Sequence, residues 1–313
     1  MTYNILLICN DKNDTNLKMA TDLLEKIGQK FSSGFDLEYC DITTNPEDII
    51  KKAKSAHAIL FALGAAQDSR ERYRNEEVIN KVANALGLYS HVCYTSAFAA
   101  NGDAQPRYAI VSDTAGGVSE SGFRNNQTFG REAYDVESYS ELEIERVARI
   151  AYELSENSRR RVTLVDMANR LTTSKLWRKI VTDINEDYPY VSVNMLTANT
   201  AASALLKDPS QFDIILTTSI LGDILSGIYS AQGNETILAA YLGETTLGMY
   251  GVNAQSQHPT IEIMLSISMM LRHSLDMCDA AKSIECAVEK LLNENCNLGK
   301  ISENQIISSI LSI

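Results

Sequence analysis

The stretch Arg161-Val-Thr-Leu-Val-Asp-Met-Ala-Asn169, with Ser174-Lys-Leu-Trp177 shortly after it, carries the strongest fold signal in this sequence of 313 residues. Val162–Val165 is a run of β-branched and apolar residues, which predicts a strand. Further strand signals follow at Val191–Met195 and Ile214–Leu216, with helices between them. The centre of the chain therefore alternates strand and helix.

The first hundred residues show the same alternation. Strands are predicted at Asn4–Cys9, Asp36–Cys40 and Ala58–Leu63, and Leu17–Phe31 has the spacing of an amphipathic helix. Another helix should begin at Asn45-Pro46-Glu47, because proline suits the first turn and acids suit the positive end of the helix dipole. Strand and helix alternating at these distances predict a parallel α/β sheet.

The later segments vary more. Arg107–Val111 predicts a strand, and Ser119–Thr128, rich in Gly, Ser and Asn, predicts an exposed loop or arm. Ser140–Ser155, Ile261–Leu271 and Ala280–Leu292 have helical patterns.

Composition excludes several classes of protein. Hydrophobic residues make up 45% of the chain and the formal net charge is -12, as in a soluble globular protein that does not bind nucleic acid. The apolar runs are too short to span a bilayer, and the N-terminus enters a strand without a basic signal region. We therefore expect a cytoplasmic protein with no membrane contact, whose six cysteines are free thiols.

The segments around Asn169 and Trp177 resemble the β-decarboxylating hydroxyacid dehydrogenases, a family that includes isopropylmalate, isocitrate and tartrate dehydrogenases. The resemblance is closest in pattern to 3-isopropylmalate dehydrogenase and covers nearly the whole chain. Further matching segments follow in the same order: Asp208-Pro-Ser-Gln-Phe-Asp213, Leu221-Gly-Asp-Ile-Leu-Ser226, Ser268-Met-Met-Leu-Arg272 and Ala280-Ala-Lys-Ser-Ile-Glu285.

This resemblance implies an α/β fold of two domains. Residues 1–100 and 240–313 would form the large domain, and residues 101–239 a central domain with dimerisation helices and an arm. Members of the family look like obligate dimers, and Leu221–Ser230 is similar to one of their interface helices. Its apolar residues fit burial against a partner, and they fit the core of a monomer equally well.

The family clamps a dicarboxylate substrate with arginines, and this chain lacks them. Counting outward from Leu86-Gly-Leu-Tyr89, the first two arginine positions hold Ala83 and Cys93. The third, before Gly116-Gly117, holds Ser112. Three lost charged contacts suggest an affinity loss on the order of 10³–10⁶-fold.

The proton-transfer and metal positions are also changed. Ser119 stands at the family's tyrosine position and Met167 at its lysine position, and neither replacement is suited to proton transfer. Of the metal acids only Asp223 remains, with Asn199 and Gly227 at the other two positions. One carboxylate holds Mg²⁺ or Mn²⁺ poorly, so Asp223 also fits a structural acid near a helix start.

The family's adenine-binding loop aligns roughly with Thr245–Gly251 and the residues after it, which keep only scattered glycines. The first strand–helix turn, Asn10–Thr15, contains no glycine, so a Rossmann fingerprint is absent too. We therefore expect no cofactor, whereas the family would use NAD and Mg²⁺ or Mn²⁺.

His91, Cys93 and Tyr94 suggest a possible new site on one predicted strand. His91 and Cys93 lie two residues apart, so their side chains share a strand face, as a Cys–His nucleophile pair would require. Neighbours on one face of a strand also commonly pack without reacting.

Three hypotheses follow from these replacements. The first is a catalytically degenerate homologue that acts as a dimeric structural or regulatory protein, paired with itself or with an active relative, and inactive in the family's NAD-dependent oxidative decarboxylation. The second is an oxidoreductase or other enzyme with a rebuilt active site and a changed substrate. The third is a conventional family enzyme in which the true catalytic positions lie elsewhere.

Overall fold

The computed structural model describes residues 1–10, 15–63, 68–95, 108–126, 130–230, 237–252 and 259–294. Its strands are β1 (Thr2–Cys9), β2 (Gly34–Asp41), β3 (Ala58–Ala62), β4 (Ser90–Thr95), β5 (Ala109–Asp113), β6 (Gly117–Asn126), β7 (Gly130–Ser138), β8 (Arg161–Asp166), β9 (Ser192–Thr197), β10 (Ile214–Thr217), β11 (Ile237–Leu242) and β12 (Met249–Val252). Its helices are α1 (Thr15–Lys30), α2 (Pro46–Ala53), α3 (Ser69–Ala85), α4 (Glu141–Glu156), α5 (Thr172–Ile184), α6 (Ala198–Lys207), α7 (Ser219–Ser230), α8 (Pro259–His273) and α9 (Cys278–Glu294).

Contacts within the chain group its residues into two units. The first comprises Met1–Leu88, Val92–Arg107 and Gln232–Ile313. The second comprises Tyr89–His91 and Tyr108–Ala231. The arm and dimerisation helices expected in the central domain stay a prediction.

The first unit is built on a mainly parallel sheet with the strand order β2-β1-β3-β12-β11-β4. β1 pairs in parallel with β2 and β3, whereas β11 and β12 pair antiparallel. Every residue of β3 is buried, as expected for a strand covered on both faces. α8 packs against β12 and α1, so the core of this unit lies between the sheet and its helices.

The second unit contains four parallel strands in the order β5-β10-β8-β9. α4 packs on β5, β10 and α5. It begins with a capping box, in which Ser140 and Glu143 bond to each other's backbone N–H groups. The predicted α/β class is confirmed by this arrangement in both units.

The polar segment Ser119–Thr128 was predicted as an exposed loop or arm, and the loop interpretation is wrong as far as Asn126. Residues up to Asn126 belong to β6, which pairs antiparallel with β7. Pairing supplies the backbone hydrogen bonds that a polar composition alone does not predict. The side chains of β7 are mostly exposed, which explains its polar sequence.

Two further expectations concern composition. The described residues contain no helix both long enough and apolar enough to cross a membrane. Cys296 lies outside the described residues, and the remaining cysteines are free thiols: Cys9, Cys40, Cys93, Cys278 and Cys286.

Candidate functional site

Met167, at the predicted lysine position, lies in a tightly held turn directly after β8. Asp166, the last residue of β8, is buried and accepts a hydrogen bond from the backbone N–H of Ala168 at 2.9 Å. The backbone N–H of Met167 donates to Ser174 Oγ at 3.2 Å. Met167 itself is half-buried. Polar contacts hold the backbone of this turn, but the side chain of Met167 is a thioether and carries no transferable proton.

Ser112, at the third arginine position, is buried near the end of β5. A Cβ atom built on Gly222 of α7 would lie 2.5 Å from Ser112 Cβ, so this helix approaches the strand closely. Only glycine permits that approach without displacing Ser112. The close approach of α7 therefore leaves room at position 112 for a small side chain.

Asp113 follows Ser112 and is fully buried, although the sequence analysis did not single it out. Its Oδ2 accepts the backbone N–H of Gly116, and its Oδ1 lies 3.7 Å from Nη2 of Arg146. Burial raises the pKa of Asp113, while the hydrogen bond from Gly116 and the charge of Arg146 oppose that rise. An acid at the carboxyl end of a parallel strand is the signal that could have identified it.

Arg146 also packs on an aromatic ring. Its guanidinium carbon lies 4.3 Å from the ring centroid of Tyr89, which is cation–π geometry. Arg146 Nε is buried and has no hydrogen-bond partner among the described residues. Asp113, Tyr89 and the partly exposed Arg146 thus form a polar cluster beside Ser112.

Ser119, at the predicted tyrosine position, lies within β6, and its side chain is outside what the structure describes. The nearby Gly116-Gly117 turn packs against Tyr139, because a Cβ on Gly116 would lie 2.8 Å from Tyr139 Cε1. Gly117 has φ of 101°, a left-handed conformation that favours glycine. Burial, followed by the charge of Asp113, raises the pKa of Tyr139, so this hydroxyl stays protonated at neutral pH.

The three predicted metal positions lie on two helices of the second unit. Asp223 and Gly227 belong to α7 and are exposed, and a Cβ on Gly227 would meet no atom within 4 Å. Asn199, on α6, accepts a hydrogen bond from Thr197 Oγ1 at 2.6 Å. The donors at these positions are one carboxylate and one amide, a set that does not fit Mg²⁺ or Mn²⁺ well.

The first two arginine positions fall in the first unit and are apolar. Ala83 of α3 is fully buried and packs in a cluster with Val82 and Leu88. Cys93 of β4 is buried as a free thiol. Neither side chain can bind a carboxylate through charge.

The proposed His91–Cys93–Tyr94 segment forms the strand β4, as predicted. Burial lowers the pKa of His91 to about 4, so its imidazole is neutral at neutral pH. The Tyr94 ring stacks on His273 with ring centroids 6.5 Å apart. The Tyr94 hydroxyl is buried without a hydrogen-bond partner among the described residues, and burial raises its pKa. A reactive pair at this strand stays a prediction.

The segment that aligns roughly with the family's adenine-binding loop, Thr245–Gly251, is partly a core strand. From Met249 onward it forms β12, and Met249 and Tyr250 are fully buried. A Cβ on Gly251 would lie 2.3 Å from the backbone oxygen of Phe61, so the glycine serves strand packing. The part of the segment in β12 does not fit an exposed dinucleotide loop, whereas Thr245 and Thr246, before the strand, are exposed. Residues 253–258 lie outside the described residues.

Comparison with known proteins relates this geometry to a family. The isocitrate/isopropylmalate dehydrogenase family model matches residues 12–309. The chain is 32% identical to 3-isopropylmalate dehydrogenase of Clostridium acetobutylicum, covering 90% of this chain and 88% of that protein. It is 31% identical to the enzyme of the same name from Pseudomonas fluorescens, covering 96% and 93%.

A solved structure agrees at the level of the fold. Isocitrate dehydrogenase from Methylococcus capsulatus has a TM-score of 0.76 and 19% sequence identity, covering 99% of this chain and 98% of that one. With its sequence, motif order and α/β fold all in agreement, this chain belongs to the isocitrate/isopropylmalate dehydrogenase family.

Proposed function

We propose that this protein does not catalyse the family's NAD-dependent oxidative decarboxylation and acts instead as a dimeric structural or regulatory protein of the cytoplasm. The observation that carries the proposal is the turn at Met167. Contacts through Asp166 and Ser174 order the backbone there, but the side chain at the lysine position cannot move a proton.

The other matched positions support the same proposal. Buried, uncharged side chains stand at all three substrate-arginine positions, namely Ala83, Cys93 and Ser112. Asp223 is a single acid at the metal positions, beside Asn199 and Gly227. If selection for catalysis were relaxed, residues at several subsites would change while the residues of the core were retained.

The partner would be a second copy of this chain or an active relative. Ile220 and Ile224 of α7 are 56% and 54% exposed and lie four residues apart, hence on one helix face. Exposed large apolar side chains in such a row support a protein contact. The net charge of -12 argues against nucleic acid as the partner.

An enzyme with a changed substrate is the second candidate. Its support is the identity of about a third to proteins named 3-isopropylmalate dehydrogenase, together with His91, Cys93 and Tyr94 on β4. An oxidoreductase of this kind would have to bind its substrate without the family's arginines. A conventional enzyme of the family would need other residues to replace Met167 and the metal acids.

The deciding experiment is ligand binding by thermal shift and calorimetry with NAD, NADP, Mg²⁺, Mn²⁺ and isopropylmalate. A ligand that binds only the folded state raises the melting temperature by mass action, whether or not turnover occurs. The Clostridium acetobutylicum relative, run in parallel, is the positive control. We expect no shift for this protein, and a clear shift with dinucleotide plus metal would refute the proposal.

Assembly is tested separately by sedimentation. We expect a dimer in the parent protein and a shift towards monomer in Ile224→Lys, because a charge would enter the apolar contact. Leu142→Lys is the matched control, since Leu142 is 75% exposed on α4. A parent protein that sediments as a monomer in the presence and absence of an active relative would refute the dimeric role.

A further inference from the structure

We draw no further inference here: the strongest candidate, the surface patch of α7 formed by the exposed side chains of Ile220 and Ile224, carries no more than the dimeric contact already proposed, because nothing in the structure shows what covers it.

Discussion

Arg178 of α5 binds Asp166 at the end of β8 through two hydrogen bonds, with Nε–Oδ2 and Nη2–Oδ1 distances of 2.5 and 3.0 Å. The carboxylate is 1% exposed, whereas the arginine side chain is 37% exposed. The same carboxylate also accepts the N–H of Ala168, so one ion pair orients the turn that bears Met167.

Arg178→Met should destabilise the protein by about 3 kcal/mol, because it leaves a buried carboxylate without its charged partner. Lys179→Met is the control, since Lys179 is exposed on the next position of α5. The free energy of unfolding in urea is the measurement. Equal stability of the two variants would show that the ion pair has little influence.

Two glycines of α7 should respond to alanine in opposite directions. Gly222→Ala places a Cβ 2.5 Å from Ser112 Cβ and should cost about 2 kcal/mol through overpacking. Gly227→Ala meets no atom within 4 Å and should stabilise the helix by up to about 1 kcal/mol. Melting temperatures of the two variants check this, and a stable Gly222→Ala would contradict the close approach of α7 to β5.

Asp213 binds the segment that leads into β8 through hydrogen bonds. It accepts hydrogen bonds from Ser158 Oγ at 2.5 Å and from the backbone N–H groups of Arg159 and Arg161, each at 3.0 Å. Asp213→Asn should lower the free energy of unfolding by about 2 kcal/mol, because it removes the buried negative charge that accepts these hydrogen bonds and faces Arg159 Nε at 3.7 Å. Asp183→Asn, at an exposed acid of α5, should have no comparable effect.

Acid should destabilise the first unit through His273. Burial, helped by the charge of Arg272 and opposed by that of Glu285, lowers the pKa of His273 from 6.5 to about 4. The unfolded chain therefore binds more protons than the native state between these values. Stability is fully present above about pH 6.5 and declines as the pH falls towards 4, by on the order of 2–3 kcal/mol.

His273→Phe tests this dependence, because phenylalanine keeps a ring against Tyr94 but cannot be protonated. The free energy of unfolding should fall less steeply with acid in the variant than in the parent, measured by urea denaturation between pH 7 and 4. Identical slopes would show that His273 does not contribute.

Local patterns predicted most elements of the fold. The apolar run at β3 and the periodicity of α1 and α4 identify these elements, because the spacing of apolar residues indicates whether one face or both faces are buried. The prediction of a loop at Ser119–Thr128 was wrong as far as Asn126, because β6 is stabilised by pairing with β7. Residue periodicity does not reveal such a partner strand. The rough alignment with the family's adenine-binding loop did not reveal that its end belongs to β12, where Gly251 lies against Phe61.

The candidate site divides in a similar way. The flanking motifs set the register by which positions 83, 93, 112, 119, 167, 199 and 227 were matched to the family, and the roles of these positions stay a prediction. Asp113 and Arg146 were missed because their contact joins β5 to α4 across 33 residues of sequence, and no local pattern encodes it.

The sequence by itself determined the family and the parallel α/β class. These follow from spacing and residue type, which act locally along the chain. Only the tertiary structure decided that Asp113 is buried beside Arg146, that His91 and His273 have lowered pKa values, and that Asn75 lacks a partner among the described residues. Such properties depend on how strongly distant segments exclude water from a polar group, and that is settled only when those segments pack together.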